Sequence, residues 1–211
     1  MSLGSDSGPV EASPAGARER IVSTAYDLFT RHGLRAIGID RVIAGAGVAK
    51  TTLFRHFRSK DDLVLAVLKR REEIWIEGWL LHGIEPRGRT PEAQLLAIFD
   101  AFDEWFRQAE YEGCFFTNSL IETHDRTSPI GEASAVGLAK VRVLIRSLAE
   151  QAGVRDARTF AHQWQILLLG SIIQAAAGNT DAARQARDVG VLLIEHERLG
   201  AADRAAGTQA R

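Results

Sequence analysis

The sequence has little cysteine and little proline. Its 211 residues include one cysteine, Cys114, which excludes an intramolecular disulfide and a cysteine-based zinc cluster. Five prolines and few β-branched runs leave room for many helices. The first residues are small and polar and lack the apolar core of a signal peptide, so we expect a disordered leader over 1–17. These features favour a cytoplasmic protein that needs no metal or cofactor.

A membrane-spanning run is also missing. Residues 160–179 contain no charged side chain, but Gln163, Gln165 and Gln174 interrupt them. The longest clean apolar run, from 166 to 173, is far shorter than the roughly 20 residues that a bilayer requires. We therefore expect no membrane contact and predict a helix buried in a core or in a subunit interface.

The net charge of −1 is unevenly distributed along the chain. Residues 17–60 carry nine basic and three acidic side chains, a charge of +6, which leaves −7 for the remainder. A basic head on an acidic body indicates that the head meets a polyanion. A solvated helical surface is the alternative explanation of the same charge pattern.

Apolar residues recur at helical spacing through most of the chain, with no strand alternation, so the sequence predicts an all-α fold. Helix starts are signalled by Ser59 with Asp62, Thr90 with Pro91, Ser128 with Pro129, and Asp156. We expect a three-helix domain over 18–65, a helical-bundle domain over 66–200, and a flexible tail over 201–211.

The segment 39–60 reads IDRVIAGAGVAKTTLFRHFRSK, which predicts a helix, a glycine turn and a second helix. We expect Ile43 and Ala44 to pack inward and Ala46 and Gly47 to permit a close helix crossing. Leu53 and Phe57 are four residues apart and predict the buried side of the second helix. Its outward side is then rich in Lys, Thr, Arg and His, which suits a major groove about 12 Å wide.

These residues resemble the TetR family of bacterial regulators between about Arg18 and Leu68. The shared features are a first helix ending in glycine, an Ile-Ala pair, a Gly-Val turn and a Leu-aromatic-x-x-Phe-x-x-Lys run, here at Gly33, 43–44, 47–48 and 53–60. The resemblance implies an obligate homodimer that binds a palindromic double-stranded DNA operator. It also implies that the helix after Ser59 links the DNA-binding head to a ligand-binding body.

The resemblance implies base contacts from Lys50, Thr51 and Phe54, and phosphate contacts from Thr52, His56 and Lys60. With two further outward-facing arginines, the candidate DNA contacts are Arg41, Lys50, Thr51, Thr52, Phe54, Arg55, His56 and Lys60. Helix-start propensity, a solvated surface and an ion pair of Lys60 with Asp61 or Asp62 are the alternative explanations.

Three positions depart from the family pattern. Ala49 stands where a Ser or Thr cap is common, and Thr51 stands where glycine is common. Phe54 replaces the usual Tyr and loses the hydroxyl that would reach a phosphate, which leaves apolar contact with a thymine methyl group.

The body carries most of the aromatic residues. They predict an apolar ligand pocket with a few polar anchors, although an aromatic stripe is more often simply core. The candidate pocket residues are Trp75, Trp79, Phe102, Trp105, Phe106, Phe116, Asn118, Glu122, His124 and His162. The resemblance also implies a four-helix dimer interface, which maps to 157–177 and 182–197.

The preferred function is a transcriptional repressor that a small apolar or aromatic effector releases from DNA. A helical enzyme using Cys114 near His124 is one alternative, and a helical adaptor that binds protein instead of DNA is another.

Overall fold

The computed structural model describes residues 14–109 and 111–209, and each regular element in them is helical, as the sequence predicts. The chain divides into two compact units between Val67 and Leu68. The first unit, the head, contains α1 (Pro14–His32), α2 (Ile39–Ala46), α3 (Lys50–His56) and the start of α4 (Lys60–Arg71). The second unit, the body, contains the remaining helices.

The body continues from α4 through a π-helical segment and a short 3-10 turn into five longer helices. Their bounds are the π-helical segment Glu72–Leu80, α5 (Leu81–Ile84), the 3-10 turn Glu85–Arg87, α6 (Pro91–Phe106), α7 (Phe115–Thr123), α8 (Pro129–Gln151), α9 (Ala157–Ala176) and α10 (Ala182–Gln209). α9 packs against α8 and α10, α10 also packs against α6, and α7 packs against α8.

The head is built around the apolar face of α1. Ile21, Ala25 and Phe29 are almost fully buried there, together with Leu53 of α3. α1 begins at Pro14, where proline fits because the first helical N–H has no partner inside the helix. The expected leader over 1–17 is therefore wrong for its last residues, since α1 includes Ala17 and buries it to 5% exposure. Residues 1–13 of that leader lie outside the described residues.

The core of the body centres on Trp164 of α9, whose indole ring is fully buried. Phe160 stacks on it at a centroid distance of 5.2 Å, and Phe99 of α6 lies 5.1 Å away. Gly190 of α10 allows this approach, because a Cβ atom there would stand 2.9 Å from Cη2 of Trp164. The close contact of α10 with α9 therefore depends on a residue without a side chain.

The predicted helix starts in the body are confirmed. Thr90 accepts from the N–H of Ala93 at 3.2 Å, and Ser128 accepts from the N–H of Gly131 at 3.1 Å. Asp156 caps α9 by accepting from the N–H of Thr159 at 3.0 Å. Each bond satisfies a first-turn N–H group that has no partner inside its helix.

The end of the chain differs from the prediction. The last helix was expected to end near Arg198 and a flexible tail to follow from 201, but α10 continues to Gln209. The tail is rich in alanine, the strongest helix former, so propensity favours extension of the helix. Residues 210 and 211 lie outside the described residues. No helix in the described part of the chain is long and apolar enough to cross a membrane.

Candidate nucleic-acid interface and aromatic cluster

The turn between α2 and α3 depends on Gly47. Its φ of +61° lies in the left-handed region, which glycine adopts without steric cost. Its N–H donates to the carbonyl of Ala44 at 3.3 Å, and the N–H of Val48 donates to Ile43 at 3.3 Å. These two bonds satisfy carbonyls at the end of α2 and set the direction in which α3 begins.

The crossing of α1 and α2 corrects two expectations. Val42 and Ala46 are the buried residues of α2, whereas Ala44 is exposed and Ile43 is partly exposed. The close approach lies at Gly45, where a Cβ atom would stand 2.8 Å from Cγ2 of Thr24. The buried face of α2 is displaced by about one residue from the expected face. The sequence was misleading here because the short helix contains small apolar residues on several sides.

Leu53 and Phe57 are 0% and 3% exposed. They form the buried side of α3, as their four-residue spacing predicts. The guanidinium of Arg18 lies 5.4 Å from the ring centroid of Phe57. Because one side of α3 is fixed in this way, its other side is turned to solvent.

The outward side of α3 is basic and partly apolar. Lys50, Thr51 and Arg55 are exposed, and the Phe54 ring is 43% exposed. Thr52 and His56 are half-buried at the edges of this side. α3 has no side-chain cap at Ala49, which agrees with the departure from the family pattern.

Lys50 of α3 and Arg41 of α2 each lie close to another polar side chain. Nζ of Lys50 is 3.8 Å from Oδ1 of Asp40, and both side chains are largely exposed. Nη2 of the exposed Arg41 is 3.1 Å from Nε2 of His32. Exposed pairs of this kind contribute about 0–1 kcal/mol and are screened by salt, so they do not prevent either cation from binding a phosphate.

Lys60 has a structural contact that the sequence did not predict. Its ammonium group donates to the carbonyl of Leu34 in the loop after α1, and Nζ lies 5.9 Å from the ring centroid of Phe29. The phosphate contact that the resemblance implies for Lys60 stays a prediction. At the same helix start, Ser59 accepts from the N–H of Asp62, and Asp62 accepts from the N–H of Arg58, both at 3.1 Å. Ser59 therefore caps α4 as the sequence predicts, while Asp62 reaches back one residue further than a capping box requires.

In the body, five of the predicted pocket residues form one aromatic cluster. Within it, neighbouring ring centroids are 5.1 to 6.1 Å apart, in edge-on or tilted contacts. The cluster consists of Trp75, Trp79, Phe102, Trp105 and Phe106. Trp79 is its only half-exposed member. The rings therefore pack directly against one another.

Polar groups accompany the cluster. Nε1 of Trp75 is buried with no hydrogen-bond partner in the described residues, which is costly unless another group supplies an acceptor. The guanidinium of Arg71 lies 5.3 Å from the Trp75 ring and 5.9 Å from the Trp105 ring. Trp75 and Trp79 both belong to the π-helical segment, where Leu81 donates to the carbonyl of Ile76, five residues back. Segments of this type occur frequently at functional sites.

Sequence analysis missed Arg71 and Tyr111 as partners of the cluster. The Tyr111 ring lies 4.9 Å from that of Trp105, and its hydroxyl donates to the carbonyl of Ile172 at 2.7 Å. Burial of this hydroxyl raises the pKa of Tyr111 far above its ordinary value. Arg71 is signalled by its position four residues before Trp75, whereas no local pattern indicates the contact of Tyr111 with α9.

The other five candidate pocket residues lie elsewhere. Phe116 packs on Gly137 of α8, and Nδ2 of Asn118 is 3.5 Å from the carbonyl of Glu112. Glu122 is half-buried near the end of α7. His124 ends α7 with a left-handed φ of 54° and is exposed. His162 is exposed on α9.

The arrangement required for the cysteine enzyme is not present. Cys114 precedes α7 and is 6% exposed, whereas His124 follows the same helix. The nine residues of α7 separate them by about 14 Å at 1.5 Å per residue. Nucleophile and base must lie within hydrogen-bond distance, so these two residues do not form a catalytic pair.

Comparison with known proteins gives matches in the helix-turn-helix segment. A family model described as bacterial regulatory proteins of the tetR family matches residues 21–67. An HTH-type transcriptional regulator of Staphylococcus aureus is 37% identical over 59 residues, which are 28% of this chain and 32% of that protein. The chain thus matches about one third of the length of its curated relatives.

Solved structures agree over a longer stretch. A TetR-family transcriptional regulator from Streptomyces coelicolor has a TM-score of 0.79 at 24% identity, over 85% of this chain and 95% of that one. A TetR transcriptional regulator from Chloroflexus aurantiacus has a TM-score of 0.76 at 23% identity, over 86% and 96% of the two chains. At these identities the likeness shows the fold. The family model thus matches the helix-turn-helix segment, and the solved structures show that most of the chain has the fold of these TetR-family regulators.

Proposed function

We propose that this protein is a homodimeric transcriptional repressor that binds a palindromic DNA operator through α3 and is released by a small apolar or aromatic effector. The observation that carries the proposal is the outward side of α3, where Lys50, Thr51, Phe54 and Arg55 are exposed above the buried Leu53. A short helix fixed on one side and basic on the other suits insertion into the major groove.

Each exposed group has a role in that proposal. Lys50 donates to base acceptors, and the Phe54 ring contacts a thymine methyl group, because the ring has no hydroxyl for a phosphate. Arg41 and Arg55 bind phosphates on either side of the groove, together with Thr52, His56 and Lys60. Two copies of α3, about 34–36 Å apart in a dimer, would read the two halves of a palindrome.

Exposed apolar side chains on α9 and α10 support dimerisation. Ile166 and Ile173 of α9 are 68% and 53% exposed, and Val189 and Leu192 of α10 are 43% and 62% exposed. A Cβ atom at Gly170 would meet nothing within 4 Å in the single chain, which leaves room for a close helix. A second copy would cover these apolar faces, which monomeric proteins seldom leave in water.

The aromatic cluster is the proposed effector site. The unpartnered Nε1 of Trp75 offers a hydrogen bond to an acceptor on the effector, and the half-exposed Trp79 is the ring that an entering ligand would displace. Displacement would shift the π-helical segment that follows α4. If this shift lowers operator affinity, DNA must lower effector affinity by the same factor.

The test begins with selection of duplexes from a random library on the purified protein, followed by fluorescence anisotropy at several salt concentrations. We expect a dimer in sedimentation and an affinity for the selected duplex that falls steeply with salt, since phosphate contacts release counterions. The absence of salt-sensitive affinity for any duplex would refute the DNA-binding proposal.

The effector site is tested with anilinonaphthalene sulfonate, a planar aromatic probe whose binding can be followed by its own fluorescence. We expect Trp79→Ala to change probe affinity and Phe54→Ala, which removes an exposed ring from the head, to leave it unchanged. Saturating probe should lower operator affinity in the wild-type protein. Equal probe affinity in both variants and in the wild type would contradict the assignment of the site.

A further inference from the structure

A basic cleft lies on the surface of the body between α8 and α9. It has a volume of about 330 Å³ and is lined by Arg142, Val143, Arg146, Arg158, Ala161 and His162. Three guanidinium groups and one imidazole therefore surround a small apolar floor. This concentration of positive charge is notable because the chain outside residues 17–60 carries a net charge of −7.

One wall of the cleft is fixed by buried contacts. Nη1 of Arg142 donates to Oε1 of Gln165 at 2.7 Å, and Nε2 of Gln165 donates to the carbonyl of Leu138 at 2.7 Å. Gln165 is only 7% exposed, so Arg142 is held by an ordered amide. Arg146 has one carboxylate partner, Glu150, at 2.8 Å between two half-exposed side chains. The carboxylate of Asp156 also interacts with Arg158, so the three arginines outnumber the two neighbouring carboxylates by one.

The cleft continues into the exposed apolar face of α9. His162, Ile166, Gly170 and Ile173 follow one another at spacings of four, four and three residues, which places them on one side of the helix. Val143 of α8, which is 65% exposed, lies in the cleft itself. A partner that covers this surface must therefore combine apolar side chains with negative charge.

α10 has this combination on its own exposed side. Leu192 is 62% exposed. Asp188 lies four residues before it in α10, and Glu195 lies three residues after it. Both carboxylates are exposed, and neither forms an ion pair within the described residues. The three side chains form a stripe with an apolar centre and an acidic residue at each end.

This stripe is not directed at the cleft of its own chain. Trp164 of α9 packs on Gly190 of α10, whereas Gln165 packs on α8, so the two neighbouring helices lie on different sides of α9. In a two-fold four-helix interface each α9 is flanked by its own α10 on one side and by the α10 of the other copy on the other side. The second α10 then meets α9 on the side of the cleft.

We propose that the cleft receives Asp188 and Glu195 from α10 of a second copy, and that this charge pairing sets the register and partner choice of the dimer. The inference rests on the proposed dimer through α9 and α10. In this contact Arg146 and Arg158 are the principal cations of the cleft, and Leu192 of the second copy covers Val143. The two-fold symmetry of the dimer repeats each contact. Charge complementarity of this kind selects partners by excluding mismatched ones.

Charge reversal tests the inference. One variant carries Arg146→Glu with Arg158→Glu, and the other carries Asp188→Arg with Glu195→Arg. In a homodimer of either variant, like charges face one another across the interface. We therefore expect its dissociation constant in analytical ultracentrifugation to be at least about tenfold higher than that of the wild-type dimer. An equimolar mixture of the two, with tags of different mass, should form mainly the heterodimer in native mass spectrometry.

Arg89→Glu with Arg126→Glu is the matched control, because it reverses two exposed arginines outside the cleft and should leave the dimer unchanged. Arg146→Gln with Arg158→Gln repeats the measurement without new negative charge and should weaken the dimer less. Recovery of a heterodimer in the mixture also shows that both reversed chains fold.

The outcomes separate this inference from the proposed function. If the wild-type protein is a monomer, the proposed dimer and this inference are both wrong. A wild-type dimer whose reversed variants still self-associate normally, or mix statistically, would overturn the charge pairing alone. If those variants instead remain dimeric and lose only calorimetric binding of inorganic phosphate, the cleft is a small-anion site and the inference is wrong.

Discussion

A Cβ atom built at Gly137 would stand 2.4 Å from Cδ1 and Cε1 of Phe116, so the ring of Phe116 lies directly against the backbone of α8. Phe116 is 2% exposed and is separated from the aromatic cluster in which the sequence had placed it. Its role is to set the distance between α7 and α8. This contact gives the first prediction.

Replacement of Gly137 by Ala should destabilise the protein despite the higher helix propensity of alanine. The ring is buried and has little room to move, so the added methyl group should cost about 1–3 kcal/mol of the free energy of unfolding, against about 1 kcal/mol gained from propensity. Urea unfolding followed by circular dichroism measures the net loss. Phe116→Leu in the same chain should recover part of it, because the two positions interact directly. Additive effects of the two changes would contradict the contact.

Local signals in the sequence predicted the helices and most of their starts. The caps at Ser59, Thr90, Ser128 and Asp156 each depend on residues three or four positions apart, which the sequence displays directly. The buried pair on α3 followed from the same spacing. Such features need no knowledge of tertiary packing, so they were predictable.

Other features depend on residues that are far apart in the sequence. Lys60 donates to Leu34 across 26 positions, and Tyr111 reaches Ile172 across 61. The π-helical register of Glu72–Leu80 has no sequence signal that we can identify. Of the candidate pocket residues, those on the π-helical segment and α6 therefore lie together while those on α7 and α9 lie elsewhere, and the pocket itself stays a prediction.

The exposed side of α3 gives a prediction that separates base contacts from phosphate contacts. Phe54→Ala should weaken binding of the selected operator by about 1–2 kcal/mol through loss of an apolar base contact, while the slope of log affinity against log salt stays constant. Anisotropy titrations at four salt concentrations measure both quantities. Lys69→Ala, an exposed cation near the end of α4, is the control and should change neither. A flattened slope for Phe54→Ala would show that the ring is not a base contact.

Lys60→Ala should affect both stability and DNA binding. Loss of its bond to the Leu34 carbonyl should lower the free energy of unfolding by about 1 kcal/mol, because the loop after α1 loses its donor. If Lys60 also binds a phosphate, the salt slope should flatten by about 0.9, the value for one released counterion. Urea unfolding and anisotropy separate the two effects, with Lys69→Ala as reference. Unchanged stability would contradict the structural role, and an unchanged slope would contradict the phosphate contact.

An ionic network at the end of α6 should make stability depend on pH. Oδ2 and Oδ1 of Asp103 accept from Nε and Nη2 of Arg107 at 3.1 and 3.0 Å, and Oδ1 is 3.3 Å from Nε of Arg184 in α10. Nη2 of Arg107 also donates to the carbonyl of Thr180, in the turn before α10. The hydrogen bonds from Arg107, followed by the charges of both arginines, lower the pKa of Asp103 below its ordinary value of 3.8.

A carboxylate with a lowered pKa stabilises the folded state fully above its unfolded-state pKa, and this contribution is lost as pH falls through the lower folded-state value. Asp103→Asn should therefore unfold at lower urea concentration than the wild type at pH 7, and the difference should shrink as the pH falls below about 4. Asp27→Asn, which makes the same change at an exposed position on α1, is the matched comparison. Urea titrations at pH 7, 5, 4 and 3 test this directly, and a difference between wild type and Asp103→Asn that stays constant over this range would mean that the arginine contacts of Asp103 do not stabilise the fold.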